Sequence, residues 1–344
     1  MTRPHLALAA LAGALGLALV VGVSVGAFAV SPTHVAGALL DALALPTPVT
    51  LGPDERDVVI GLRLPRVLLA ATLGAALALA GATMQAFFKN PLADPSIVGV
   101  SSGAALAVVV TSTFAPGLVA AGLGASTILA LAAFVGGFSA TLVVQLIARL
   151  AFRAGLAALL LAGIAINALA GATTALLIAV ANETTLRSFT FWTLGSLGGA
   201  TWSGVLLAAV MLAIGLGVCF AAARPLDAML LGDLDATALG IDVLRWRRGL
   251  FVLTALMTGV AVALVGIIGF VGLVIPHLAR MVVGHRHGVV FPAAALLGAT
   301  LLVLADLGAR VFIAPAELPV GVITGLVGAP FFILLLVRGR GAIA

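Results

Sequence analysis

The residues with the means to do chemistry are few, and their spacing argues against catalysis. Gly99-Val-Ser101-Ser-Gly103 fits the G-x-S-x-G pattern of an exposed nucleophile. That pattern needs a strand before the serine, a helix after it and a base in reach. Here it lies in a run of small apolar residues, the composition of close helix packing. His285 and His287 are two positions apart and do not share a helix face. A metal site needs more converging ligands, so no metal set is expected. A phosphate-binding loop needs Gly-Lys before Ser or Thr, whereas the single lysine, Lys89, follows Phe88. The chain therefore lacks the motif that would hold ATP. The single cysteine, Cys219, excludes an intramolecular disulfide and reads as a packed thiol. No catalytic residue and no bound cofactor are expected.

What remains is the chemistry of position. Arg63-Leu-Pro-Arg66 precedes an apolar run that reaches Gln85, then Asn90-Pro91-Leu92-Ala93-Asp94-Pro95. The two prolines break or start helices. Asp94, just ahead of Pro95, can cap the helix that follows, which makes this a tight re-entry turn. The stretch Leu226 to Val243 sets Asp227, Asp233, Asp235 and Asp242 among leucines. It is either a solvated loop or an amphipathic segment that lies in a partner's groove. Arg187 opens Leu186-Arg187-Ser-Phe-Thr-Phe-Trp192. A cation beside aromatic rings suits a flat anionic ligand, although an interfacial aromatic belt has the same composition. Gly321 and Gly325 either line a pathway or let helices approach closely. With Asn167 and Thr174, the residues Arg187, Phe191, Trp192, Gly321 and Gly325 are the candidate pathway positions.

The elements that must position these residues follow from the solvent. The chain is 63% hydrophobic and 8% charged, with a mean hydropathy of +1.31. A soluble domain carries about a quarter charged residues. Lipid must be the main solvent, and then only helices or closed barrels satisfy the backbone. Barrel strands alternate in polarity, but the apolar runs here are continuous, so an all-α polytopic membrane protein is expected. At roughly 20 residues per span, ten runs qualify: 6–30, 64–88, 96–115, 118–148, 154–181, 189–222, 249–268, 270–284, 289–309 and 318–337. Ala27-Phe28-Ala29 resembles a signal cleavage site. The 25 residues from Leu6 to Val30 exceed a signal core of about 7–15, so this run is read as a retained helix.

With ten spans and an inner N-terminus, 12 of the 17 basic residues fall inside: Arg3, Lys89, Arg149, Arg153, Arg224, Arg245, Arg247, Arg248, Arg280, Arg286, Arg338 and Arg340. Both termini are therefore expected in the cytoplasm. The same scatter of basic residues between spans accounts for the net charge of +5 without a nucleic-acid partner. An offset of 185 relates Arg63 to Arg248, Gly74 to Gly259, Gly81 to Gly266, Pro91 to Pro276 and Gly99 to Gly284. Five spans separate the two series, so the repeat is inverted, as in many transporters. The approximate repeats are 60–200 and 245–340, within one membrane domain covering 1–344. Ion-coupled carriers place ionisable residues at membrane depth. The stretches 155–182 and 249–274 have none, which favours a machine driven by a partner.

These motifs together resemble the permeases of ATP-driven importers for iron–siderophore complexes, haem and vitamin B12. The resemblance runs through Arg63 to Arg66, Gly81 to Gln85, Asn90 to Gly99, and Gly269-Phe-Val-Gly-Leu-Val-Ile-Pro276-His277 with Arg280. It continues through Ala305-Asp306 with Arg310, Glu317 to Gly321 and Gly328-Ala-Pro-Phe331. It implies ten helices per subunit, a homodimer in the bacterial inner membrane, two cytoplasmic ATPase subunits that hold ATP and Mg, and a periplasmic binding protein. On matching positions, Arg63, Arg66 and Arg310 would meet acidic residues of that binding protein. Residues 224–245, through Leu226, Leu230, Leu231, Ala236, Leu239 and Gly240, would couple to the ATPase. Gln85, Asn90, Pro91, Asp94, Pro95, Pro276 and His277 belong to shared motifs. The stretch around Arg187 is closer to the haem permeases, so haem is the expected cargo among the chelates.

Overall fold

The computed structural model describes residues 4–26, 30–47, 49, 52–115, 117, 125–150 and 155–338. The possible cleavage site at 27–29 and Arg3, Arg153 and Arg340 lie outside them. Seven helices are long and apolar enough to span a bilayer, and three shorter apolar ones accompany them. These match the ten expected runs in order, and no strand occurs among the described residues.

The long helices are α1 (Pro4–Ser24), α4 (Leu64–Phe88), α6 (Ala125–Leu150), α7 (Gly155–Val180), α9 (Trp202–Met229), α11 (Val243–Val265) and α13 (His287–Val311). The shorter apolar ones are α5 (Val100–Phe114), α12 (Val271–Val283) and α14 (Val320–Arg338). Helix α4 is the central post, packed against α13, α9, α12, α11 and α1. It can be central because it offers small residues to its neighbours. A Cβ at Gly74 would run into the Gly298 carbonyl of α13, and one at Gly81 into the Gly272 carbonyl of α12. In lipid such backbone approach replaces hydrophobic collapse as the source of association. Gly259 of α11 differs, since it meets only the Phe134 ring of α6 at ordinary van der Waals distance.

Three elements differ from the sequence expectation. The helix read from residue 64 begins earlier, at α3 (Pro53–Arg56), and passes through a π-helical stretch, Asp57–Arg63, into α4. Glu55 accepts the Gly52 N–H at 2.9 Å and closes this polar start. A search for apolar runs cannot see a charged helix end. Pro65 would clash with a carbonyl four residues back in a regular helix, and the wide π turns come just before it. Second, residues 32–42, which belong to no apolar run, form α2 (Pro32–Ala42). Ser31 caps it, accepting from the His34 N–H at 3.2 Å, and Pro32 opens it. Third, the run 189–222 is two elements. The short α8 (Glu183–Thr193), capped by Asn182, is separated from α9 by a turn through Gly195 at φ +72°.

Candidate functional site

The functional candidates gather at two opposite ends of the bundle. At one end, Arg66 Nε donates to Asp306 Oδ1 at 2.8 Å, and Arg66 Nη1 reaches Glu317 at 2.9 Å. Arg310 Nε lies 3.1 Å from the second Asp306 oxygen as an ion pair without hydrogen-bond alignment. Asp306 is 1% exposed, whereas Glu317 is half exposed. Arg310 also donates to the carbonyls of Gly22 and Val25, and Arg63 to those of Val23 and Ser24. These are the open carbonyls at the C-terminus of α1, which its own helix cannot satisfy. Sequence reading sent all three arginines outward to a partner. In the structure, Arg63 and Arg310 are buried and bind the end of α1, and only the Arg66–Glu317 pair reaches the surface.

At the other end lies the re-entry turn. Lys89 closes α4 in the left-handed region at φ +49°, and the Asn90 N–H returns to the Gln85 carbonyl at 3.1 Å. Asn90 Oδ1 accepts from the Leu92 N–H, and Asp94 Oδ1 accepts from the Ser96 N–H at 2.8 Å. That cap starts a short 3₁₀ turn, Pro95–Val98. Gly99, at φ +89°, then leads into α5. The element before Ser101 is thus a 3₁₀ turn and not the strand a nucleophile elbow needs. Ser102 donates to Asn167 Oδ1 of α7 and its neighbour Gly103 packs on Gly136 of α6.

Gln85 and Pro276, far apart in sequence, explain each other. A proline at 276 removes the N–H that the Gly272 carbonyl would take within α12. The Gln85 amide donates to the Gly272 carbonyl at 3.4 Å and to that of Leu273 at 3.0 Å.

The same end carries the projecting segment between α9 and α11. Gly232 at φ +137° and Gly240 at φ +82° bracket the short α10 (Asp233–Ala238). Leu226 and Ala236 are buried and seat the segment on the bundle, while Leu230, Leu231 and Leu239 are exposed. Leu234, which sequence reading passed over, is 88% exposed, the most exposed large apolar side chain described. Asp233 pairs with Arg247 at 2.8 Å and with Lys89 at 3.4 Å. Asp227 accepts from the His287 backbone N–H at 3.1 Å and lies 2.6 Å from its ring Nδ1. The segment is therefore clamped to α4, α11 and α13 and shows a row of leucines outward, which is the mark of an interaction surface.

The candidate pathway residues sit on three helices, α7, α8 and α14. Arg187 and Phe191 are exposed on α8, and Trp192 stacks on Phe189. Asn167 ties α7 to the re-entry turn, its Nδ2 donating to the Ile97 carbonyl at 3.3 Å. Thr174 Oγ1 is buried without a partner. Gly321 is a close-approach position, its N–H donating to the Leu194 carbonyl at 3.1 Å, whereas Gly325 faces open space.

A helical bundle built for lipid, with a clamped apolar projection at one end and an ion-paired mouth at the other, is a multi-pass membrane permease. The chain belongs to the FecCD transport family, whose model matches residues 14–338. It is 44% identical over 284 residues to the hemin transport system permease protein of Yersinia pestis, covering 82% of this chain and 83% of that one. It is 42% identical over 332 residues to the cobalamin import system permease protein of Halobacterium salinarum, covering 95% and 87%. Among solved structures, a metal-chelate-type ABC transporter in an inward-facing conformation superposes with a TM-score of 0.82. The two are 30% identical, with coverage of 96% of this chain and 98% of the other. This is a transport permease of the ABC importer class.

Proposed function

We infer that two copies of this chain form the pathway of an importer for haem or a related iron chelate. A periplasmic binding protein delivers the cargo, and two cytoplasmic ATPase subunits hold and hydrolyse ATP. The observation that carries this reading is the clamped leucine row of Leu231, Leu234 and Leu239. It has the form of a helix offered to a groove, fastened by ion pairs to the spans that would have to tilt. The basic-residue bias makes this end cytoplasmic and leaves both termini inside. The opposite mouth then faces the binding protein, which meets the Arg66–Glu317 pair at the surface. Charge pairs there govern register and on-rate more than affinity.

The haem and cobalamin relatives match this chain almost equally well. Exposed Arg187 beside Phe191 favours a flat anionic ligand, and haem has that chemistry. Vitamin B12 is the second reading, carried by the cobalamin relative. The test is uptake in proteoliposomes holding the permease with its cognate ATPase and binding protein, offered haem, ferric siderophores and cobalamin in turn. ATP-dependent uptake of haem is expected. Uptake driven by a proton or sodium gradient without ATP would overturn the importer reading.

A further inference from the structure

A second site lies beside the projecting segment. The end of α4, the end of α12 and the start of α13 enclose a cavity of about 420 Å³. Lys89, His277, Arg280, His285 and His287 all line it, and among the described residues no carboxylate does. The nearest acids are turned to other work: Asp227 holds His287, and Asp233 holds Arg247 and Lys89. Arg280 Nη2 is buried with no acceptor, an expensive state for part of a permanent cation. Gln85 Oε1, on the same cavity, is buried without a donor, although the amide nitrogen of Gln85 is fully used by α12.

We propose that this cavity binds a phosphoryl group, held by Arg280 and Lys89 with ring N–H groups of the histidines beside them. A phosphoryl oxygen supplies the acceptor that Arg280 Nη2 lacks, and a hydroxyl or water on the same group supplies the donor for Gln85 Oε1. The cavity sits where α4 and α12 end and α13 begins, and the ends of spans meet the headgroup region of a bilayer. Its rim carries exposed Leu230 and Met281, the apolar neighbours that a lipid's glycerol and chains would use. Basic pockets between helix ends on the cytoplasmic side are the usual seats of anionic headgroups. A phosphate ester in solution offers the same group without the apolar part. Occupation would bridge α12 to Lys89, and through Asp233 to the projecting segment, so it would stiffen the coupling end. This placement of the cavity rests on the importer reading, but its test does not.

The full chain, purified in detergent without any partner, is examined by native mass spectrometry and thermal melting. The probes are phosphatidylglycerol, phosphatidylcholine and inorganic phosphate. Wild-type protein is expected to retain phosphatidylglycerol and melt higher with it. Arg280→Gln combined with Lys89→Gln should weaken that binding by about tenfold or more, the worth of a charge-assisted contact or two. Arg280→Lys should retain much of it, and phosphatidylcholine, whose choline offsets its phosphate, should bind the wild type more weakly and lose less on substitution. If inorganic phosphate reproduces the stabilisation, the source is a soluble phosphate; if phosphatidylglycerol alone does, it is lipid. Equal phosphatidylglycerol and phosphate binding by wild type and by a Lys89→Gln, Arg280→Gln protein that melts as a folded species would overturn the proposal. Because no transport is measured, failure here leaves the importer reading standing, and failed uptake leaves this result standing.

Discussion

Gln85 and Pro276 show how residues that look inert acquire a purpose from each other. Pro276 strips a hydrogen bond from α12, and Gln85 restores it from α4. Gln85→Ala should therefore cost about 1–3 kcal/mol, the price of an unsatisfied buried carbonyl. In a Pro276→Ala background the loss should shrink, because alanine returns the missing N–H. Thermal melts of the double-mutant cycle check this, with a coupling of about 0.5 kcal/mol or more expected. Asp306 is the other decisive residue. It is fully buried between Arg66 and Arg310, so Asp306→Ala leaves positive charge uncompensated and should destabilise by about 3–5 kcal/mol. Glu317, half exposed, pairs with Arg66 in contact with water. Glu317→Ala should cost less than about 1 kcal/mol. The same melts separate the two, and equal losses would mean that burial does not set the strength of the cluster.

At the scale of elements, the bundle is held by backbone contact. Gly81 lies against Gly272 and Gly74 against Gly298. The obstruction is main chain and cannot swing aside as a flexible side chain would. Gly81→Val should push α4 from α12 and cost about 1–3 kcal/mol or more, read as loss of monodisperse protein in detergent. The projecting segment behaves differently. Leu234 is solvent-exposed and supports nothing inside the chain, so Leu234→Asp should leave the melting temperature within the range of a surface change, about 0.5 kcal/mol. It should nevertheless lower ATPase coupling in the assembled importer by tenfold or more, because a charge enters an apolar groove. A variant that couples normally would remove this helix from the interface.

For the whole molecule, the unburied face of α7 is the salient feature. Leu161, Ile164, Leu169 and Leu176 are each more than 60% exposed on one long span. Lipid can cover such a face, and so can a second copy. Light scattering of the purified importer is expected to give two permease chains per complex. A single chain per complex would remove the shared pathway from the reading.

Composition alone required a helical membrane protein, because few charges and long apolar runs leave the backbone no other way to satisfy itself in lipid. The spacing of those runs set the number and order of the spans, and the prolines with Asp94 marked the re-entry turn, since capping and breaking are local chemistry. The resemblance in its motifs pointed to the transporter class. Local chemistry could not show where a long side chain ends. That Arg63 and Arg310 turn inward to the carbonyls of α1, that Asn167 ties α7 to the re-entry turn, and that Gln85 serves a proline nearly two hundred residues away depend on how helices distant in sequence cross. Only the tertiary structure decides such pairings; for Gln85 and Asn167 they rest on the close approach of Gly81 to Gly272 and of Gly163 to the Ile97 carbonyl, which the sequence marks merely as glycine.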